Sequence, residues 1–431
     1  MITRKPGTIL VEKTNETTTG RVGLHWVSES MRHVGLKKKI EYRFRARKNN
    51  REKTAWEKIE AAVLMILSGG SCVEDLEYLR VDAGLLHSLG KKEMISADTL
   101  LRFMGKKRTG EQLIKSIHDS AQIALSRYSG SELTYDNDAT YFNSNKNCAT
   151  YSYKKEKQMS GLLGYIAELN GICITAQYRP GNVSPATGIL DDLKQARLLC
   201  KKSGKRLTRF RSDSAAHNFD IFKYCDTHDI KYFVTLDKNS VTKREVNALA
   251  RNRWKPLPEK EGVEWAEYTH AMNRGKKNGV AMRALVLRWP NPDPSLFDCA
   301  DYCYHIIATN DWDIEPMTWL QVHNQRMQSE NYHKEVKSSL AAAYSPSHDF
   351  HKNLSFFMLN LLAYNVFVLF KSFYLPVAQK SWTIKTFRYR FIHICGRFVS
   401  HARSVVCKLI NVTDDSFSLF KSCAAKLCLS G

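Results

Sequence analysis

Between Thr54 and about Arg127 the apolar positions recur at helical spacing. Ala55, Ile59, Ala62, Val63 and Ile66 form one stripe, which Gly69-Gly70 ends. Ser71-Cys72-Val73-Glu74 has the form of a helix start with an acid three residues on. A further short helix opens at Ser96 and carries Leu100, Leu101 and Phe103. Near Glu132 the texture changes. Residues 133–142, 161–169 and 171–181 are rich in aromatic and β-branched side chains and read as strands, the last two joined around Asn170-Gly171. A helix over 185–203 stops at Gly204, a strand over 207–214 ends at an acid, a helix lies around 218–228, and 231–237 is a further strand.

Three strands, helix, strand, helix, strand is the order of a ribonuclease H-like sheet, so the class is α/β. Residues 238–305, with Pro-containing loops and strand-like pieces, read as an inserted β-rich subdomain. Helix resumes near Pro316, a residue suited to a first turn, and runs to about Leu340. The tail over 352–431 reads as helical. The chain therefore divides into a helical region over 1–130, a catalytic core over 131–345 and a helical region over 346–431.

Charge narrows the choice of partner. The 431 residues carry 65 Lys and Arg against 43 Asp and Glu, a formal charge of +22. A field of that size seeks polyanions, either nucleic acid or an anionic membrane face. Residues 1–110 contribute +9 and residues 371–431 contribute +8. Within 31–53, Tyr42 and Phe44 interleave with Arg43, Arg45 and Arg47, which fits a phosphate-tracking arm as well as a solvated face. The helices before 130, ending in Lys106-Lys107-Arg108, fit a helix-turn-helix-like DNA binder or a plain bundle. Residues 354–375 are apolar enough to suggest a membrane, but Asn360, Asn365 and Lys371 interrupt them, and a buried core helix is the better reading. The first 30 residues lack a secretory h-region. The eleven cysteines have no CxxC pair and read as reduced thiols.

Three acids stand at structurally meaningful places. Asp138 lies in the first strand, Asp213 follows the fourth, and Glu330 sits midway along the late helix. Hard divalent cations take oxygen ligands, and two of them held by such acids cut phosphodiesters. Each acid also has a plainer explanation. Asp213 could cap the next helix, Asp136 shares the strand face of Asp138, and Glu330 could be a solvated glutamate. At 100° per residue, His323, Arg326, Glu330 and Lys337 project within about a 60° arc. A carboxylate flanked by guanidinium and ammonium can hold a metal and grip phosphates together.

With these residues in place the sequence resembles the DDE-type bacterial insertion-sequence transposases that carry the Y-R-E-K signature, Y-x2-R-x3-E-x6-K. Arg326, Glu330 and Lys337 match in register, and His323 stands at the tyrosine position. The resemblance spans about Leu133 to Lys371, and Asp138-Ala139-Thr140 selects Asp138 over Asp136. It implies a ribonuclease H-like core with a β insertion, Asp138, Asp213 and Glu330 as catalytic ligands of two Mg²⁺ or Mn²⁺ ions, and phosphate contacts from Arg326, Lys337 and His323. It implies cutting at the ends of an insertion sequence and joining of the 3′-OH ends to target DNA, by a homodimer on double-stranded DNA in the bacterial cytoplasm near the nucleoid. Trp254, Trp265, Trp289 and Trp312 lie in or near the insertion, where some members receive a flipped base, and none is singled out. A catalytically inactive DNA-binding repressor or architectural protein on the same scaffold is the alternative.

Overall fold

A computed structural model describes residues 16–45, 53–258, 260–273, 279–292, 301–401 and 404–428. The N-terminal part holds β1 (Thr18–Thr19) and seven helices: α1 (Gly23–His33), α2 (Leu36–Arg43), α3 (Ala55–Leu67), α4 (Leu76–Arg80), α5 (Ala83–Ser88), α6 (Ala97–Met104) and α7 (Lys107–Arg127). Helix α3 starts where Thr54 and Glu57 cap each other: the Glu57 N–H donates to the Thr54 hydroxyl and the Thr54 N–H to the Glu57 carboxylate. The region expected as a basic arm is packed helix as far as α2, and Arg47 lies outside the described residues.

The strands follow: β2 (Glu132–Asn143), β3 (Thr150–Tyr151), β4 (Lys157–Ile166), β5 (Ile172–Pro180), β6 (Arg206–Ser212) and β7 (Lys231–Thr235). Helix α8 (Ile189–Lys202) precedes β6 and α9 (Phe219–Thr227) precedes β7. β5, β4 and β2 pair antiparallel, and β2, β6 and β7 pair parallel, so β2 is central. Parallel pairing puts the C-terminal end of β6 beside the middle of β2, with Asn137 opposite Ser212. The residues that follow these two are Asp138 and Asp213.

The insertion differs from expectation. It contains a helix, α10 (Ser240–Asn247), started by the Asn239 side chain accepting from Val241 and Thr242 N–H. Its strands β8 (Lys255–Pro256), β9 (Glu264–Met272), β10 (Val280–Pro290) and β11 (Tyr302–Thr309) do not form a separate sheet. β11 pairs antiparallel with β7 through Ile307 and Ala308, which extends the same sheet to ten strands among the described residues. Leu285 and Ile307 of that extension make a small core of their own with Phe233 of β7 and Trp319 of the helix that follows β11.

After β11 the chain forms α11 (Pro316–Asn324) and α12 (Met327–Lys334), then a π-helical turn over Glu335–Ser339. One continuous helix was expected here. It breaks because the Arg326 N–H reaches His323 C=O and the Ser329 N–H reaches Arg326 C=O, each three residues back instead of four. Helix α13 (Phe350–Phe373) is the one described helix long and apolar enough to cross a membrane, and 94% of that stretch is buried inside the protein. Its asparagines find partners there. Asn365 Nδ2 donates to Cys173 C=O (2.7 Å) and to the Ser120 hydroxyl (2.8 Å), while its Oδ1 accepts from Cys173 N–H (2.9 Å).

The tail is not wholly helical. Short helix α14 (Ile384–Phe387) leads to a hairpin of β12 (Gly396–His401) and β13 (Ser404–Leu409), then to α15 (Asp414–Cys428). β12 also pairs with β1, so residues 18–19 and 396–397 meet across almost the whole chain. Arg388 fastens the same two regions by donating to the C=O groups of Ile66 and Leu67 at the end of α3.

Candidate active site

Asp138 lines an open cleft of about 340 Å³ with Ala139, Thr140, Glu330, His333, Lys334, Lys337 and Ser338. One wall is β2; the other is α12 and the π-turn. The widened turn brings Lys337 back over β2, where its Nζ donates to Tyr141 C=O at 2.9 Å. Arg326 Nη1 lies 3.4 Å from Asp138 Oδ2. Asp213 sits at the adjacent strand end and accepts from the Ala215 N–H at 3.0 Å. Lys334 is a cleft residue that sequence reasoning missed, although it stands four residues after Glu330 and three before Lys337, a spacing that puts all three on one helix face.

Burial raises the Asp138 carboxyl above the usual carboxylate range, with Arg326 pulling it down and Glu330 pushing it up. Burial also raises Asp213, and the charge of Asp138 adds to it. Asp138 is therefore coupled electrostatically to both of the other acids. His333 is held neutral, its value lowered to about 4 by burial and by Lys337 and Arg326. The donor set suits a hard divalent cation in chemistry and in charge: Asp138 and Asp213, partly removed from water and raising one another's cost of ionisation, gain from a cation beside them, and exposed Glu330 offers a further oxygen. Among the described residues no three acid, histidine or cysteine side chains converge as a formed metal cage, and Arg326 supplies the positive charge on Asp138.

Raised carboxyls make a prediction with a definite sign. A group whose folded value exceeds its unfolded value withdraws stability as pH rises through the folded value. Asp213→Asn keeps an oxygen for the Ala215 N–H and removes the charge. Without divalent cations its Tm should match wild type near pH ~4 and exceed it near pH ~7, where free aspartates are ionised. A Tm lowered equally at both values would contradict the buried-charge account.

The other expected site residues are placed differently. His323 is 5% exposed and sits behind the cleft, its Nε2 sharing a hydrogen bond with the Thr235 hydroxyl at 3.2 Å. Burial, His305 and Arg326 lower it to about 3, so it is a neutral imidazole. The broken helix removes it from the arc it would share with Arg326, Glu330 and Lys337. Asp136, the rival of Asp138, is buried in a two-bond ion pair with Arg211.

Arg43 and Arg45 belong to α2 and its end, and neither lines the cleft. Arg43 binds both oxygens of Asp119 in α7, at 2.8 and 2.9 Å. Arg45 stacks over Tyr42 with its guanidinium 4.4 Å from the ring centre. Arg43→Ala should lower stability by about 1–3 kcal/mol, because buried Asp119 loses its charge-assisted bonds. Arg45→Ala should leave Tm unchanged and lower the slope of log K against log salt for DNA by up to about 0.9. An unchanged slope returns Arg45 to ordinary surface.

Comparison with known proteins adds the following. The sequence model of the family described as Transposase DDE domain group 1 matches residues 4–429. No curated protein matches the chain. Among solved structures, the piggyBac transposase synaptic complex with hairpin DNA aligns over 86% of this chain and 78% of that chain, at 14% identity and a TM-score of 0.46.

Proposed function

We propose that this chain, which belongs to the Transposase DDE domain group 1 family, cuts DNA at the ends of an insertion sequence and joins those ends to target DNA. The observation that carries the proposal is that Asp138 and Glu330 line one cleft, with Asp213 following β6, the strand paired beside Asp138. Lys334 and Lys337 line the same cleft, and Arg326 reaches Asp138 from beside it. The order β5-β4-β2-β6-β7, antiparallel and then parallel, supports a ribonuclease H-like core.

Asp138, Asp213 and Glu330 would hold two Mg²⁺ or Mn²⁺ ions, which when bound activate the attacking oxygen and neutralise charge on the leaving oxygen. Arg326, Lys334 and Lys337 hold the phosphodiester against the carboxylates; the guanidinium fork can grip two phosphate oxygens at once. Arg326 has to leave Asp138, in whole or in part, to do so. His323 and His333, neutral and buried, back the cleft wall and do not carry charge to DNA. In the first reaction a water oxygen attacks phosphorus and the DNA 3′ oxygen leaves as a free hydroxyl. In the second that hydroxyl attacks a target phosphodiester, forming a new P–O bond and releasing a target 3′-OH.

The +22 charge supports double-stranded DNA as the partner. Action on two ends at once favours a homodimer on DNA. The test is a joining assay: labelled duplexes carrying the terminal sequences that flank the gene, a supercoiled plasmid as target, and Mg²⁺. Labelled plasmid is the expected product. Retarded duplex with no joined product at any divalent cation concentration would favour the inactive DNA-binding alternative.

A further inference from the structure

An ion pair that does not line the cleft is tied to the segments that carry all three acids. Arg211 is 3% exposed, on β6, two residues before Asp213. Its Nε and Nη2 donate to the two oxygens of Asp136 at 2.6 and 2.8 Å. Asp136 is two residues before Asp138 on β2. Along a strand residues i and i+2 share a face, so Asp136 and Arg211 stand one layer below Asp138 and Asp213. Nη1 of the same guanidinium donates to Val322 C=O at 2.9 Å and to Gln325 Oε1 at 3.2 Å. Those two residues end α11, immediately before Arg326 and the turn that delivers Glu330.

The Val322 bond explains why the helix breaks there. In an unbroken helix Val322 C=O would accept from Arg326 N–H. That N–H instead reaches His323 C=O, which frees the Val322 carbonyl for the guanidinium. Arg211 thus uses four contacts to join three chain segments, and it stabilises the bend that turns α12 toward Asp138. A lysine would keep the charge but offers one point in place of a planar fork.

Resting on the cleavage function proposed above, we infer that Arg211, with Asp136, is the positioning pair of the active centre. It sets the separation between Asp138 and Asp213 on their neighbouring segments and the helix that carries Glu330, and through them the affinity for the divalent cations. It does not touch DNA or cation.

The test measures Mn²⁺ binding by the electron paramagnetic resonance of the free ion, together with cleavage of terminal DNA against Mn²⁺ concentration. Both use full-length wild type, Arg211→Lys and Gln325→Ala, with Tm as the check on folding. Partners that orient metal ligands typically change affinity or activity about 10–100-fold. Arg211→Lys should weaken Mn²⁺ binding about 10-fold or more and raise the Mn²⁺ needed for cleavage in proportion. Gln325→Ala removes one contact at an exposed residue and should fold like wild type. It should weaken binding about threefold, in line with a single hydrogen bond. Folded Arg211→Lys with wild-type Mn²⁺ affinity overturns the inference. If Arg211→Lys does not fold, unchanged affinity in Gln325→Ala overturns it. Wild type that binds Mn²⁺ and cuts no DNA would overturn the transposase reading instead, leaving the positioning role to be decided by the affinities alone.

Discussion

Asp138→Asn, Asp213→Asn and Glu330→Gln should each slow cleavage of the terminal DNA by about 10³-fold or more while leaving DNA binding nearly unchanged. A divalent cation stabilises the charge of the reacting phosphate by several kcal/mol, and each 1.36 kcal/mol is a factor of ten in rate. An amide keeps the shape of the carboxylate and one of its oxygens but loses the charge that holds the cation. Binding survives because Arg326, Lys334, Lys337 and the basic surface remain. The three substitutions should also be far from additive, since acids that serve one centre fail together. Cleavage rates from quenched time courses, alongside gel-shift affinities, separate the two effects. Any one variant that cuts at the wild-type rate removes that residue from the centre.

The largest expected loss of stability lies far from the cleft. Asn365→Leu should cost about 3 kcal/mol. The volume is nearly conserved, so no cavity explains the loss; it comes from Cys173. Its N–H and C=O are on β5, which among the described residues pairs with β4 alone, and Asn365 satisfies both on the open side. Two buried backbone groups left without partners cost about 1–3 kcal/mol each. Asn360, on the same helix and equally buried, donates only to Phe356 C=O of its own helix, and its Oδ1 has no partner. Asn360→Leu should therefore be close to neutral. Guanidinium denaturation of the two variants gives the contrast, and equal losses would contradict this account of how the helix is seated.

Both asparagines show what a sequence discloses. That residues 350–373 form a buried helix was legible from their length and from the polar residues within the run. Which asparagine matters was not, because the answer depends on a strand edge about 190 residues away in sequence. The same division holds elsewhere. Strands over 133–142, 161–169, 171–181, 207–214 and 231–237 were legible because β-branched and aromatic runs ended at Gly, Asn or acidic residues, and the observed strands depart from them by a few residues at their ends. The hairpin at 396–409 was not legible. Its strands are short and basic, and its partner Thr18–Thr19 lies at the other end of the chain.

The candidate site divides along the same line. Asp138 and Asp213 could be read from strand ends, and Glu330, Arg326 and Lys337 from spacing. The place of His323 could not. Helical spacing assumes a straight helix, and the break at Gln325-Arg326 buries His323 against Thr235 while α12 turns to the cleft. Asp136 looks on paper like a rival of Asp138; only its burial against Arg211 identifies the two as support.

Asp138, Asp213 and Glu330 are proposed to form one divalent-cation-dependent centre that cuts DNA. It is tested most directly by a titration of Mg²⁺ into wild-type protein bound to end-labelled terminal duplex, with EDTA and Glu330→Gln as controls. The account predicts cuts at the element's end that leave a 3′-OH, rise and saturate with Mg²⁺, and vanish in both controls. Cleavage that persists in EDTA or in Glu330→Gln, or bound duplex that stays intact at every Mg²⁺ concentration, would contradict it.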